Sequence, residues 1–60
     1  MTNIERCNLI LASLVGKKLI DNWWHTPHRA FNMLTPWDQF KLDEHKVLDY
    51  LYGQMSGDYS

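Results

Sequence analysis

Two Thr-Pro pairs, Thr26-Pro27 and Thr35-Pro36, divide this chain of 60 residues into short segments. A proline breaks a regular helix when it lies inside it, and it disfavours helical geometry at the preceding residue. At the first position of a helix it is well tolerated, and a threonine before it can cap that helix. Each pair therefore predicts the end of one element and the start of the next.

The segment before the first pair has the pattern of two helices. Thr2 and Glu5 have the spacing of a capping box, which predicts a helix start. We expect a break or bend at residues 15–17, around Gly16; the alternative is one long helix that contains this glycine. The apolar stripe of the first helix is wide enough to predict burial on more than one side. It consists of Ile4, Cys7, Leu11, Leu14 and Val15, widened by Leu9, Ile10 and Ala12. The second helix is predicted to hold Leu19, Ile20, Trp23 and Trp24.

The segments after the two pairs predict three further elements. Thr26 is expected to cap a short turn over residues 28–31, and Thr35 to cap a helix with Asp38 in its first turn. Asp43 is expected to cap the last helix. The predicted apolar stripe of that helix is Val47, Leu48, Leu51, Tyr52 and Met55. Residues 55–60 are predicted to form a flexible tail.

These segments together predict the fold class. The sequence has no strand-like alternation and no hairpin turn pattern. We therefore expect one all-α domain over residues 1–60, a small bundle of four or five short helices. Helices this short are not stable alone, so packing between them must hold the fold together.

Composition narrows the classes of function. The single cysteine, Cys7, allows no internal disulfide, which favours a reducing compartment and a cytoplasmic location. No segment has the pattern of a signal peptide or of a membrane span. Six Lys and Arg residues oppose seven Asp and Glu residues and are scattered, so direct nucleic-acid binding is not expected.

No pattern in the sequence predicts chemistry. The pair His25 and His28 could bind a metal with Cys7 or His45, but Pro27 prevents both from sharing a regular helical face. Cys7 lies in an apolar stripe, where a thiol usually packs as a small hydrophobic group. A glycine-rich phosphate loop is also missing. We therefore predict no catalytic, cofactor-binding or metal-binding residue, and a protein that is not an enzyme.

The aromatic residues predict a protein partner instead. Eight aromatic residues and three methionines are many for a chain that can bury only part of its surface. Trp23 and Trp24 point about 100° apart on a helix, and Trp23, four residues after Leu19, is assigned to the core. Trp24 is then expected at the rim, where it either packs under the following Thr-Pro turn or anchors a partner, as tryptophan, tyrosine and arginine commonly do. The predicted partner-binding residues are Trp24, Arg29, Tyr50, Tyr52 and Tyr59.

Residues 14–52 resemble the toxin-binding domain at the C-terminal end of Xre/MbcA/ParS-type antitoxins. The matching residues are Gly16, Trp23, Thr26, Pro27, Ala30, Phe31, Pro36, Phe40, Val47 and Leu51. The chain departs from the family pattern at Asn32-Met33 and at residues 43–45, where the family usually has a glycine. The residues before Leu14 are too few for the helix-turn-helix domain that such antitoxins carry.

The resemblance implies a helical module that docks on a RES-type toxin, an enzyme that consumes NAD, and blocks it. Our first hypothesis is therefore a non-enzymatic protein that inhibits a partner enzyme by occluding it. A second hypothesis is a small protein of a phage or mobile element that modulates a host nucleic-acid enzyme or regulator. A third is a structural homo-oligomer, since the family tends to dimerise and the first helix is broadly apolar.

Overall fold

The computed structural model describes residues 1–57, and these contain four α-helices and no strand. The expected all-α bundle of four or five short helices is confirmed. The helices are α1 (Asn3–Leu14), α2 (Ile20–Trp24), α3 (Pro36–Leu42) and α4 (Glu44–Ser56). Two short 3-10 turns, Lys17–Leu19 and Arg29–Phe31, precede α2 and α3.

The first helix begins and ends where the sequence predicts. The Thr2 hydroxyl accepts a hydrogen bond from the Glu5 amide at 3.2 Å, and the Glu5 carboxylate accepts one from the Thr2 amide at 2.9 Å. After Leu14 the chain turns at Gly16, whose φ of 87° lies in the region that favours glycine. The break at residues 15–17 is therefore confirmed, and the single long helix is excluded.

The first Thr-Pro pair does not cap a helix, which corrects the prediction. The Thr26 hydroxyl donates to the carbonyl oxygen of Asn22 at 2.6 Å and so closes the end of α2. His28 has extended backbone geometry and is the cap of the next turn, so the cap falls one residue after Pro27. There the Nδ1 atom of His28 accepts from the Ala30 amide at 3.1 Å and starts the turn Arg29–Phe31.

The second pair and the last helix follow the predicted pattern. The Thr35 hydroxyl accepts from the Asp38 amide at 3.1 Å, and the Asp43 carboxylate accepts from the His45 amide at 3.1 Å. Helix α4 runs to Ser56 and ends at Gly57, which has a φ of 77°. Residues 55 and 56 are thus helical, in contrast to the predicted tail, and residues 58–60 lie outside the described part of the chain.

The core lies where α1 and α3 pack against α4. Its buried side chains are Cys7, Ile10, Leu11, Trp24, Phe31, Val47, Leu48 and Leu51. A hydrogen bond of 2.9 Å from the side-chain amide of Asn3 to the Glu44 carboxylate joins the start of α1 to the start of α4.

Both long helices bury only one side, so two parts of the predicted stripes are wrong. In α1, Leu9 and Leu14 are exposed, although burial on more than one side was expected. In α4, Tyr52 and Met55 are exposed. The reason is the same in both cases: within residues 1–57 the neighbouring helices cover one face of each helix and leave the other to solvent.

Candidate protein-binding surface

A continuous chain of aromatic contacts crosses the molecule from α3 to α4. Trp37 contacts Trp24 with the ring centroids 5.9 Å apart, and Trp24 contacts Trp23 at 5.3 Å. Trp23 then meets Phe31 at 6.5 Å, and Phe31 meets Tyr50 at 5.3 Å. The rings meet edge to face, which is a favoured geometry for aromatic pairs. Much of the aromatic surface is therefore used to hold these short elements together.

Trp24 lies in the core, which reverses the predicted placement of the two adjacent tryptophans. Its side chain is 5% exposed, and its indole N–H donates to the Asn8 side-chain oxygen at 2.8 Å. Trp23 is only partly buried, against His28 and Phe31. The face of α2 that meets α1 and α3 carries Trp24, a choice that helical spacing alone does not reveal. Within residues 1–57, Trp24 is therefore mainly a core residue rather than an exposed anchor at the rim.

Two of the predicted binding residues, Arg29 and Tyr50, are linked through His28. The Tyr50 side chain contacts His28, which directly precedes Arg29 in the chain. The Tyr50 hydroxyl lies 3.3 Å from the Nε2 atom of His28, and Arg29 is exposed one residue further along the chain. Since Nδ1 of His28 accepts the Ala30 N–H, the neutral ring carries its hydrogen on Nε2 and donates to Tyr50. A shallow depression of about 360 Å³ lies beside this contact.

The other predicted residues lie elsewhere. Tyr52 is 40% exposed but lies two residues beyond Tyr50, hence about 200° around α4. Tyr59 is outside the described residues. The four predicted partner-binding residues that the structure describes therefore do not share one surface, and the role of all five in binding stays a prediction.

A second apolar surface lies along α1, the helix that the third hypothesis assigned to self-association, but none of its residues was among the predicted partner-binding residues. A groove of about 420 Å³ runs between the exposed face of α1 and the start of α2; we call it the α1 groove. Leu9, one of the residues that line it, is 61% exposed. Its walls are Met1, Glu5, Asn8, Leu9, Ala12, Lys17 and Ile20. The sequence signal was the width of the α1 stripe, which predicted burial on more than one side, either within the fold or against a second copy of the chain.

Two charged side chains lie in the walls of the α1 groove. Glu5 comes from the first turn of α1, whereas Lys17 follows the end of that helix. Hydrogen bonds from the Thr2 backbone and hydroxyl groups lower the pKa of the Glu5 carboxyl, so it carries its charge at neutral pH. Any molecule bound along the groove would therefore meet a negative charge near one end of α1 and a positive charge near the other.

The buried thiol of Cys7 has no environment that favours nucleophilic chemistry. Burial raises its pKa to about 11, and the nearby charge of Glu44 adds to the effect. The thiol is therefore protonated at neutral pH and packs as an apolar group. Residues 1–57 also contain no group of three or more His, Cys, Asp or Glu side chains placed to hold a metal ion.

Comparison with known proteins adds no relative. The chain matches no family model, no curated protein and no solved structure. Among the helices of residues 1–57, none has the length and apolar character that crossing a membrane requires.

Proposed function

We propose that this chain is a non-enzymatic protein-binding module that docks on its partner through the α1 groove. The observation that carries the proposal is the exposure of Leu9 in a groove with mainly apolar walls. Contiguous apolar surface on a small soluble domain commonly marks a site of protein interaction. The residues that line the α1 groove are not among the buried core residues, so a partner could cover the groove without disturbing the core.

The shape of the α1 groove fits an amphipathic helix of the partner. Helix α1 has 12 residues and is therefore about 18 Å long, which matches three to four turns of a second helix. Apolar side chains on one face of that helix would fill the groove around Leu9 and Ala12. A basic residue near Glu5 and an acidic one near Lys17 would set its direction.

We place an inhibitory role first among the forms that this binding could take. In that role the module covers a partner enzyme, as the sequence resemblance of residues 14–52 to antitoxin domains implies. A RES-type toxin is then the first partner to test. A host nucleic-acid enzyme or regulator, bound by a protein from a phage or mobile element, is the alternative partner class.

A second candidate function is self-association through the same groove. The observation that favours it is the presence of Glu5 and Lys17 in one groove, on opposite sides of Leu9 in the chain. A two-fold contact reverses one copy relative to the other, so Glu5 of each copy would approach Lys17 of the other. Sedimentation velocity at low micromolar concentration tests this form, which predicts a dimer at neutral pH that weakens at high salt.

Affinity capture with matched variants tests the proposed function. The tagged chain, its Leu9→Lys variant and its Leu42→Lys variant are each incubated with lysate, and the retained proteins are identified by mass spectrometry. Both substitutions replace an exposed leucine with lysine, but Leu42 lies outside the α1 groove. We expect the wild-type chain and Leu42→Lys to retain the same partner, and Leu9→Lys to lose it. Retention of that partner by Leu9→Lys would contradict docking through the groove.

A further inference from the structure

Another depression, of about 310 Å³, opens between α1, α2 and α3. We call it the Trp37 cleft. It is lined by Ile4, Asn8, Asp21, Trp24, His25 and Trp37. Trp37 is 37% exposed, and its ring centroid lies 6.4 Å from that of His25. The cleft thus combines an accessible indole and an imidazole with a carboxylate.

The electrostatics of the Trp37 cleft favour a cation. Among residues 1–57, the Asp21 carboxylate has no hydrogen-bond or ion-pair partner, and no lysine or arginine of the chain lines the cleft. The electron-rich face of an indole attracts a cation placed over it. The indole N–H of Trp24, which could compete for the carboxylate, is already donated to Asn8.

We infer that the Trp37 cleft receives an arginine side chain of the partner protein, with the guanidinium stacked on Trp37 and paired with Asp21. A guanidinium is planar, so it can stack on an aromatic ring while its N–H groups donate to a carboxylate. An ammonium offers a point charge without the stacking plane, and a neutral side chain offers neither. The combination of one ring and one carboxylate therefore selects arginine.

The Trp37 cleft adjoins the α1 groove, because Asn8 lines both depressions and Ile20 and Asp21 are neighbours in the chain. A partner helix in the groove could therefore place an arginine in the cleft. This inference deepens the proposed function by naming the charge that the partner carries. Its test uses no partner protein, so either idea can fail while the other stands.

Titration with three capped amino acids tests the cleft directly. N-acetyl-arginine amide, N-acetyl-lysine amide and N-acetyl-citrulline amide are added to the ¹⁵N-labelled chain at pH 8, and the three indole N–H signals are followed by NMR. We expect the arginine derivative to shift the Trp37 signal most, with an affinity about fivefold above that of citrulline, which has the same shape without the charge. The Trp23 signal, outside the cleft, is expected to stay in place.

Two variants separate the carboxylate from general charge effects. Asp21→Asn is expected to remove most of the preference for arginine over citrulline, with the remainder due to the Trp37 ring, whereas Asp49→Asn, which changes the net charge equally outside the cleft, leaves it unchanged. Far-UV circular dichroism checks that both variants fold. The inference is overturned if citrulline binds as well as arginine, if lysine binds more tightly than arginine, or if Asp21→Asn and Asp49→Asn behave alike.

Discussion

At the scale of single residues, Met33 occupies a conformation that its side chain opposes. Its φ is 67°, and the preceding Asn32 has a φ of 54°. Asparagine tolerates this left-handed region, but a residue such as methionine loses about 1–2 kcal/mol there. The surrounding loop holds it in place, because the Met33 amide donates to the His28 carbonyl and the His28 amide donates to the Leu34 carbonyl, both at 3.0 Å.

Replacing Met33 with glycine is therefore expected to stabilise the protein. The Met33 side chain is 64% exposed, so little packing is lost, and glycine adopts a positive φ without strain. We expect Met33→Gly to raise the free energy of unfolding by about 0.5–1 kcal/mol in urea denaturation followed by tryptophan fluorescence. Asn32→Gly serves as the control and is expected to change it by less than half as much. A Met33→Gly protein no more stable than wild type would show that no strain is stored here.

Trp24 is the residue whose removal should damage the fold most. We expect Trp24→Ala to lower the free energy of unfolding by about 3–5 kcal/mol, which is comparable to the whole stability of a domain of this size. Helix content measured by far-UV circular dichroism at 222 nm should fall accordingly. Trp37→Ala removes an indole ring that is partly exposed, so it should lower the free energy of unfolding by about half as much or less. Unchanged helix content in Trp24→Ala would show that Trp24 lies at the rim and not in the core.

At the scale of elements, short local patterns predicted where most helices begin, and long-range contacts decided the rest. The caps at Thr2, Thr35 and Asp43 depend on groups within three residues of each cap, so the sequence alone reveals them. The orientation of α2 depends on Asn8 and on α3, which are distant in the chain. That dependence explains why the sequence analysis assigned Trp23 to the core and Trp24 to the rim, whereas Trp24 is the more deeply buried of the two.

The break between α1 and α2 gives a prediction at the same scale. An added Cβ atom at Gly16 would have no other atom within 4 Å, so the effect of Gly16→Ala comes from its φ of 87° alone. Because its ψ is 153°, this backbone conformation is essentially restricted to glycine, and we expect a loss of about 1–3 kcal/mol in the free energy of unfolding. Gly57→Ala, with a φ of 77° at the end of α4, should cost less because the last turn of a helix frays readily. Greater stability of Gly16→Ala would indicate one continuous helix instead.

At the scale of the whole molecule, the sequence indicated an excess of apolar surface but not its location. The wide stripe of α1 correctly marked this helix as more apolar than one packed face requires. Which part stays open depends on where α2 and α4 cover α1, and that is a property of the assembled bundle. The α1 groove and the Trp37 cleft were therefore not predictable from helical spacing, whereas the all-α class was.

The buried thiol links the stability of the whole fold to alkaline pH. In the unfolded chain Cys7 ionises near its ordinary pKa of 9.0, and in the fold its pKa is raised to about 11. Above pH 9 the unfolded state therefore binds fewer protons than the fold, so stability falls as pH rises, by on the order of 2 kcal/mol between pH 9 and pH 11. Urea denaturation at pH 8, 9 and 10 measures the slope. The slope should be smaller in Cys7→Ala, and an equal slope in both proteins would exclude this cause.

Site-specific photocrosslinking in the cells that encode the protein tests docking through the α1 groove most directly. A benzoyl-phenylalanine is placed at position 9, and in a matched protein at position 42, which replaces an equally apolar exposed leucine outside the groove. Docking through the α1 groove predicts a discrete adduct with a partner protein from position 9 and none from position 42. The absence of an adduct from position 9, or the same adduct from both positions, would contradict it.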